Sequence, residues 1–273
     1  MIREDAGGEL FHGEPALEMG GRRVILLGAS NVVRGLSTIV ETAELVWGQP
    51  VDVLAACGHG RSYGRTSCVF GRSLPSILEC GLWDELSRRR PLPTAALITD
   101  VGNDILYGAG TGQIVAWVAE CLTRLRGVCD QLVVTELPLA RVASVTPQQY
   151  RWIRMLLFPG SRVTFDEAIA RAHELNAHVA ELASRHRAVL RVPRLDWYGW
   201  DPIHIRRACW SDAWYEILSA WSDRAAPQRA RGSWRRWLQL RRQRPLVRRM
   251  FGFEQRRAQP VCALRSGSAI SLF

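Results

Sequence analysis

Short apolar blocks alternate with longer amphipathic stretches along this chain. RVILLG (23–28), VDVLAA (51–56), AALITD (95–100), QLVVTELP (131–138) and AVLRVPR (188–194) read as strands that are apolar on both faces. VVRGLSTIVETAELVWG (32–48), a stretch near 74–88, GQIVAWVAECLTRLRG (112–127) and a last stretch near 206–222 read as helices. FDEAIARAHELNAHVAELASRH (165–186) is the most regular of them, with apolar positions at three- and four-residue spacing. Two-faced strands alternating with helices predict a parallel sheet covered on both sides. The expected fold class is therefore α/β, a three-layer α/β/α domain with a five-stranded, doubly wound parallel sheet. Such sheets carry their sites at the carboxyl ends of the strands.

Composition changes this picture mainly at the ends. The first residues (1–21) are acidic and glycine-rich, without the basic start and apolar block of a secretory signal, so a cytoplasmic location is expected. No window is long and apolar enough to span a bilayer. The seven cysteines are odd in number and form no C-x-x-C pair, which favours free thiols over disulfides or a zinc site; no metal or cofactor is expected. Every one of the 36 basic residues is Arg, and thirteen lie between 224 and 265 with Glu254 as the lone acid. The net charge of +10 therefore belongs to that stretch, and the rest of the chain is nearly neutral. The expected division is an extension over 1–21, a domain over 22–223 and an Arg-rich tail over 224–273.

Candidate chemistry follows the strands. Ser30 stands just after the first strand, where a helix N-terminus either uses it as a cap or activates it with free N–H groups and the positive dipole end. The loop GHGRSYG (58–64) follows the second strand, and its glycines let a backbone N–H approach a ligand closely. Gly102-Asn103-Asp104 follows the third; it is ordinary turn chemistry, yet an Asn amide also donates to an oxyanion. Asp201-Pro202-Ile203-His204 follows the fifth, with the acid and the imidazole three residues apart. The other histidines, His173 and His178 among them, read as structural. Gly60-Arg61-Ser62-Tyr63-Gly64 also matches the G-x-S-x-G elbow of serine hydrolases. Ser62 is a poor nucleophile candidate, because it lies well down a loop rather than at a sharp strand-to-helix turn.

Taken in order, Gly28-Ala29-Ser30, Gly60 (or Gly58), Gly102-Asn103-Asp104 and Asp201-x-x-His204 resemble the blocks of the SGNH, or GDSL-type, hydrolase superfamily, over about residues 22–222. The resemblance implies a flavodoxin-like sheet, a Ser30–His204–Asp201 triad, and an oxyanion hole from Ser30, Gly60 and Asn103. It implies a serine esterase acting on an acyl ester or an O-acetyl group, or an acyltransferase if another alcohol replaces water. One departure stands out: Ala29 replaces the family's Asp in GDS. That favours a competing reading, a degenerate, non-catalytic scaffold that binds through its basic tail. Within 229–257, Trp234, Trp237 and Leu238 can share a helical face. An anionic membrane surface is an expected partner for it, nucleic acid a lesser one, and a solvated or folded-back tail the plain alternative. Trp197, Tyr198 and Trp200 either line a pocket or pack in the core.

Overall fold

The computed structural model describes residues 21–222 and 228–273. The expected extension, apart from Gly21, and the expected boundary at 223/224 lie outside the described residues. In chain order the first elements are β1 (Arg22–Leu27), α1 (Ser30–Val46), β2 (Val51–Ala56), β3 (Ser67–Val69), β4 (Arg72–Leu74), α2 (Leu82–Arg88), β5 (Thr94–Ile98) and α3 (Asn103–Leu106). Then come α4 (Thr111–Arg126), β6 (Gln131–Thr135), α5 (Leu139–Val142), α6 (Pro147–Leu157), α7 (Phe165–Arg185) and β7 (Val189–Arg191). The chain closes with α8 (Trp210–Leu218), α9 (Trp234–Arg241), β8 (Val247–Met250), β9 (Phe253–Arg256), β10 (Cys262–Ala263) and β11 (Ala269–Leu272).

The main sheet runs β10-β11-β2-β1-β5-β6-β7. Its five expected strands are parallel, and the winding reverses between β1 and β5, the position where doubly wound sheets open a crevice. The expectation of five strands is corrected to seven. Strand β11 extends the edge, parallel to β2, with Ile270 opposite Val53, and β10 returns antiparallel to it. The β11 sequence AISL is short and follows an Arg-rich stretch, so composition masked it. The sheet buries side chains on both faces because its central strands carry apolar residues on each, as in Val24–Leu27 of β1 and Val53–Ala56 of β2. Ile25, Leu27 and Leu54 join a core with Ile114 and Val118 of α4 and Leu175 and Val179 of α7. Their alternating neighbours Val24, Leu26 and Val53 join a second core with Leu36 and Ile39 of α1 and Trp214 of α8. Gly35 is the point of closest approach there, since a Cβ on it would lie 2.3 Å from the indole nitrogen of Trp214.

Two other expectations change. The helix expected near 74–88 starts only at Leu82. The residues before it form the β3–β4 hairpin, which joins β8 and β9 in a four-stranded antiparallel sheet, order β3-β4-β8-β9. These strands are short and half polar, so no apolar run announces them. Helix α6 lies where no element was expected, opened by a capping box of Thr146 and Gln149.

Residues 228–273 fold back onto the domain. Leu240 of α9 is buried, and Arg236 lies 3.4 Å from Glu44 of α1. Trp234 and Trp237 stack on each other with Arg207 over both rings, rather than offering a free apolar stripe. Of the aromatic trio near 200, Trp197 and Tyr198 are core residues and Trp200 is exposed. All seven cysteines are free thiols: Cys80, Cys121 and Cys262 are buried, and Cys68 is exposed. Among the described residues no helix is long and apolar enough to cross a membrane.

Candidate active site

Strand β1 ends at Leu27, and Ser30 is already the first residue of α1. Gly28 permits so tight a turn: a Cβ there would meet Val32 at 2.6 Å and Thr99 at 2.8 Å. Ser30 does not cap the helix. Ala29 occupies the cap position, and no side chain of its own closes it. The Ser30 Oγ instead lies 2.8 Å from His204 Nε2, and His204 Nδ1 lies 2.6 Å from Asp201 Oδ2. Burial would raise the Asp201 carboxyl. The hydrogen bond and charge of His204, with the Ile203 N–H and Arg34, outweigh it and hold the group below its ordinary value. An ionised carboxylate only accepts, so His204 carries its proton on Nδ1, and Nε2 is the acceptor for the Ser30 hydroxyl.

Gly60 and Asn103 open onto the same cavity, of about 400 Å³, as Ser30 and His204. Gly58 is not among its lining residues. Gly60 has φ +64, and a Cβ there would come within 2.7 Å of Val69, so only glycine fits. Among the described residues, the backbone N–H groups of Ser30 and Gly60 have no hydrogen-bond partner. The Asn103 amide makes only a 3.5 Å contact to the Arg61 carbonyl. The hydroxyl of Tyr107 donates to the Gly60 carbonyl at 2.6 Å and fixes that peptide.

Ser62 is elsewhere. It is fully buried, and its hydroxyl donates to the Asp104 carboxylate while accepting from the Arg65 N–H at 2.9 Å. Asp104 also takes the Tyr63 N–H at 2.9 Å. The last residue of the Gly-Asn-Asp turn thus ties the glycine loop to α3. Arg61 fastens the same loop further, donating to the carbonyls of Cys57, Pro75 and Phe273.

Two residues that sequence reasoning missed hold the three loops in register. Asp100, at φ +60, accepts the N–H groups of Ala29 (2.9 Å) and Asn31 (3.0 Å) on one carboxylate oxygen. It closes the α1 N-terminus in place of a cap. Asn31 gives its amide to Asp100 Oδ1 and to the Ile203 carbonyl, both at 2.8 Å, and accepts the Ile205 N–H at 2.9 Å. One side chain therefore joins the serine turn, the loop after β5 and the histidine segment. Both residues stand beside quoted motifs, in GASN and DVGND, and adjacency was the only signal.

A second, apolar cavity of about 140 Å³ meets Ser30 and Asn103 from the other side, with walls that include Val101, Leu137, Ile153, Ala172 and Tyr198. The cavity shared with His204 also has His59 and Arg72 in its wall. Enclosure there, with Arg72 and His204 nearby, holds His59 down at about 4, so it is neutral at neutral pH. The Arg72 guanidinium has no ion-pair or hydrogen-bond partner among the described residues, which also hold no cluster of metal-binding side chains.

The chain is similar in structure to solved esterases. It aligns with a psychrotrophic esterase from Pseudoalteromonas sp. at 12% identity and TM-score 0.46, over 72% of this chain and 95% of that one. A carbohydrate acetylesterase from Sinorhizobium meliloti aligns at 12% identity and TM-score 0.48, over 72% and 95%. A member of the lipolytic G-D-S-L family from Veillonella parvula aligns at 9% identity and TM-score 0.44, over 72% and 96%. No family model and no curated protein matches the chain. Likeness of this extent assigns neither a residue role nor a substrate.

Proposed function

We propose that the chain is a serine esterase that cleaves a carboxylic ester at Ser30. The observation that carries this reading is the hydrogen-bonded line Ser30–His204–Asp201, ending at a cavity that also holds unpaired donors. His204 Nε2 takes the hydroxyl proton as Ser30 Oγ attacks the acyl carbon. Asp201 keeps the proton on Nδ1 and balances the imidazolium. The N–H groups of Ser30 and Gly60 and the Asn103 amide receive the oxyanion. The alcohol leaves with the proton from Nε2, and water repeats the sequence to release the acid.

The apolar cavity beside Ser30 suits an acyl chain longer than acetyl, and the cavity bearing Arg72 suits the polar alcohol portion. Ala29 favoured a degenerate scaffold. The contacts of Asp100 argue against it, because a carboxylate from another strand end still holds the serine turn. The test is hydrolysis of p-nitrophenyl esters of increasing chain length by wild type and Ser30→Ala. Activity that disappears in Ser30→Ala and rises from acetate to hexanoate supports the reading. A folded wild type inert on the whole series, or a Ser30→Ala variant as active as wild type, defeats it.

A further inference from the structure

We propose that the four-stranded sheet is a docking surface for an anionic lipid bilayer, placing the mouth of the Ser30 cavity against it. Two hairpin turns carry the argument. Both β3–β4 and β8–β9 are joined by a two-residue Phe-Gly loop, Phe70-Gly71 and Phe251-Gly252. All four residues have positive φ: +50 and +73 in the first, +47 and +88 in the second. Such turns favour Asn, Asp or Gly at the first position, because a bulky residue there is strained. Here that position is Phe twice, and the rings are 77% and 76% exposed. Phe253 adds a third ring at 78%. The turns are neighbours: the Phe251 N–H donates to the Gly71 carbonyl at 2.8 Å, and the Phe251 ring covers the Cα of Gly71. Breaking the same local rule twice, side by side and in water, is unfavourable for an isolated domain and marks a function.

The surroundings identify the occupant. Side chains alternate across a strand, so Arg248, Met250 and Phe253 share the face that carries Arg72. Phe70 and Arg72 themselves line the Ser30 cavity. Arg249 and Arg256 lie on the opposite face, exposed, with Glu254 the one acid among them. On the same cavity's wall stands Phe158, the C-cap residue just after α6, and that helix exposes Trp152, Met155 and Leu156. Protruding aromatic tips backed by arginines match a membrane interface, where rings enter the acyl boundary and guanidinium groups meet phosphates. Nucleic-acid platforms instead lay their rings flat along a basic groove.

Vesicle binding does not require turnover, so this proposal and the esterase reading fail separately. The experiment is sedimentation of the full chain with phosphatidylglycerol-containing vesicles, pure phosphatidylcholine vesicles or duplex DNA. The proteins are wild type, Ser30→Ala, Phe251→Asn/Phe253→Thr and Arg248→Gln. Asn suits the turn and Thr the strand, so the aromatic variant keeps its fold and its hydrolysis of a soluble ester. Wild type and Ser30→Ala are expected to bind the anionic vesicles equally. The aromatic variant loses about tenfold or more in affinity, and Arg248→Gln costs about fivefold. Wild-type binding by the aromatic variant overturns the proposal, as does binding to DNA but not to vesicles.

Discussion

Ser30 and Ser62 each follow a strand, sit beside glycines and match a hydrolase motif, yet the fold treats them in opposite ways. Ser30 faces an imidazole whose acceptor nitrogen is free for its proton, next to N–H groups without a partner among the described residues. Ser62 faces a buried carboxylate and already accepts backbone N–H groups, so its bonding capacity is spent on its own loop. A nucleophile needs a base on one side and unfilled donors on the other. A structural serine has its partners satisfied. The comparison shows that a three-letter match carries less information than what the fold leaves unpaired around it.

The sharpest way to break the contrast is to exchange the losses. Ser30→Ala should lower kcat by on the order of 10⁴–10⁶ with little change in melting temperature. Ser62→Ala should retain near-normal kcat and lose stability instead. Esterase assays paired with thermal melts check both, and an inactive but stable Ser62→Ala would reverse the assignment. Next in size is Asn103→Ala, expected to cost about 10²–10³ in kcat with KM nearly unchanged, because in the proposed reaction the amide serves the oxyanion. Asn31→Ala should follow at about 10² in kcat, through displaced loops rather than a lost reacting group. Asn31→Asp, which keeps the acceptor for the Ile205 N–H but sets a charge against Asp100, should not rescue it.

The sequence was most informative where one local pattern decides the structure. The five parallel strands followed from runs such as RVILLG that are apolar on both faces. The residues that meet at Ser30 were found because doubly wound sheets gather strand ends. The missing parts depend on long-range pairing. Strands β8 and β9 are sequences such as VRRM and FEQR, which become strands only because β4 offers an edge. Asn31 reads as one more helix residue until the fold brings Ile203 and Ile205 to it, more than 170 positions away. Asp100 lies in the expected turn, but no spacing rule connects it to Ala29.

The smallest effect tests the structural side of the comparison through pH. Burial pushes Asp104 up to about 6, against the lowering by the Ser62 hydroxyl and the Tyr63 N–H. A carboxyl raised in the folded state favours its protonated form there. Its contribution to stability is therefore full below its unfolded value of 3.8 and lost as pH rises through about 6. Between pH 7 and pH 5 this group alone should add about 1 kcal/mol on acidification, since one pKa unit is about 1.4 kcal/mol. Other carboxylates titrate with the opposite sign, so the quantity to read is the difference between wild type and Asp104→Asn. Urea unfolding at both pH values should show wild type gaining on the variant as pH falls. An unchanging difference would mean that Asp104 stays ionised beside Ser62, and that the loop is held by a charge rather than by a shared proton.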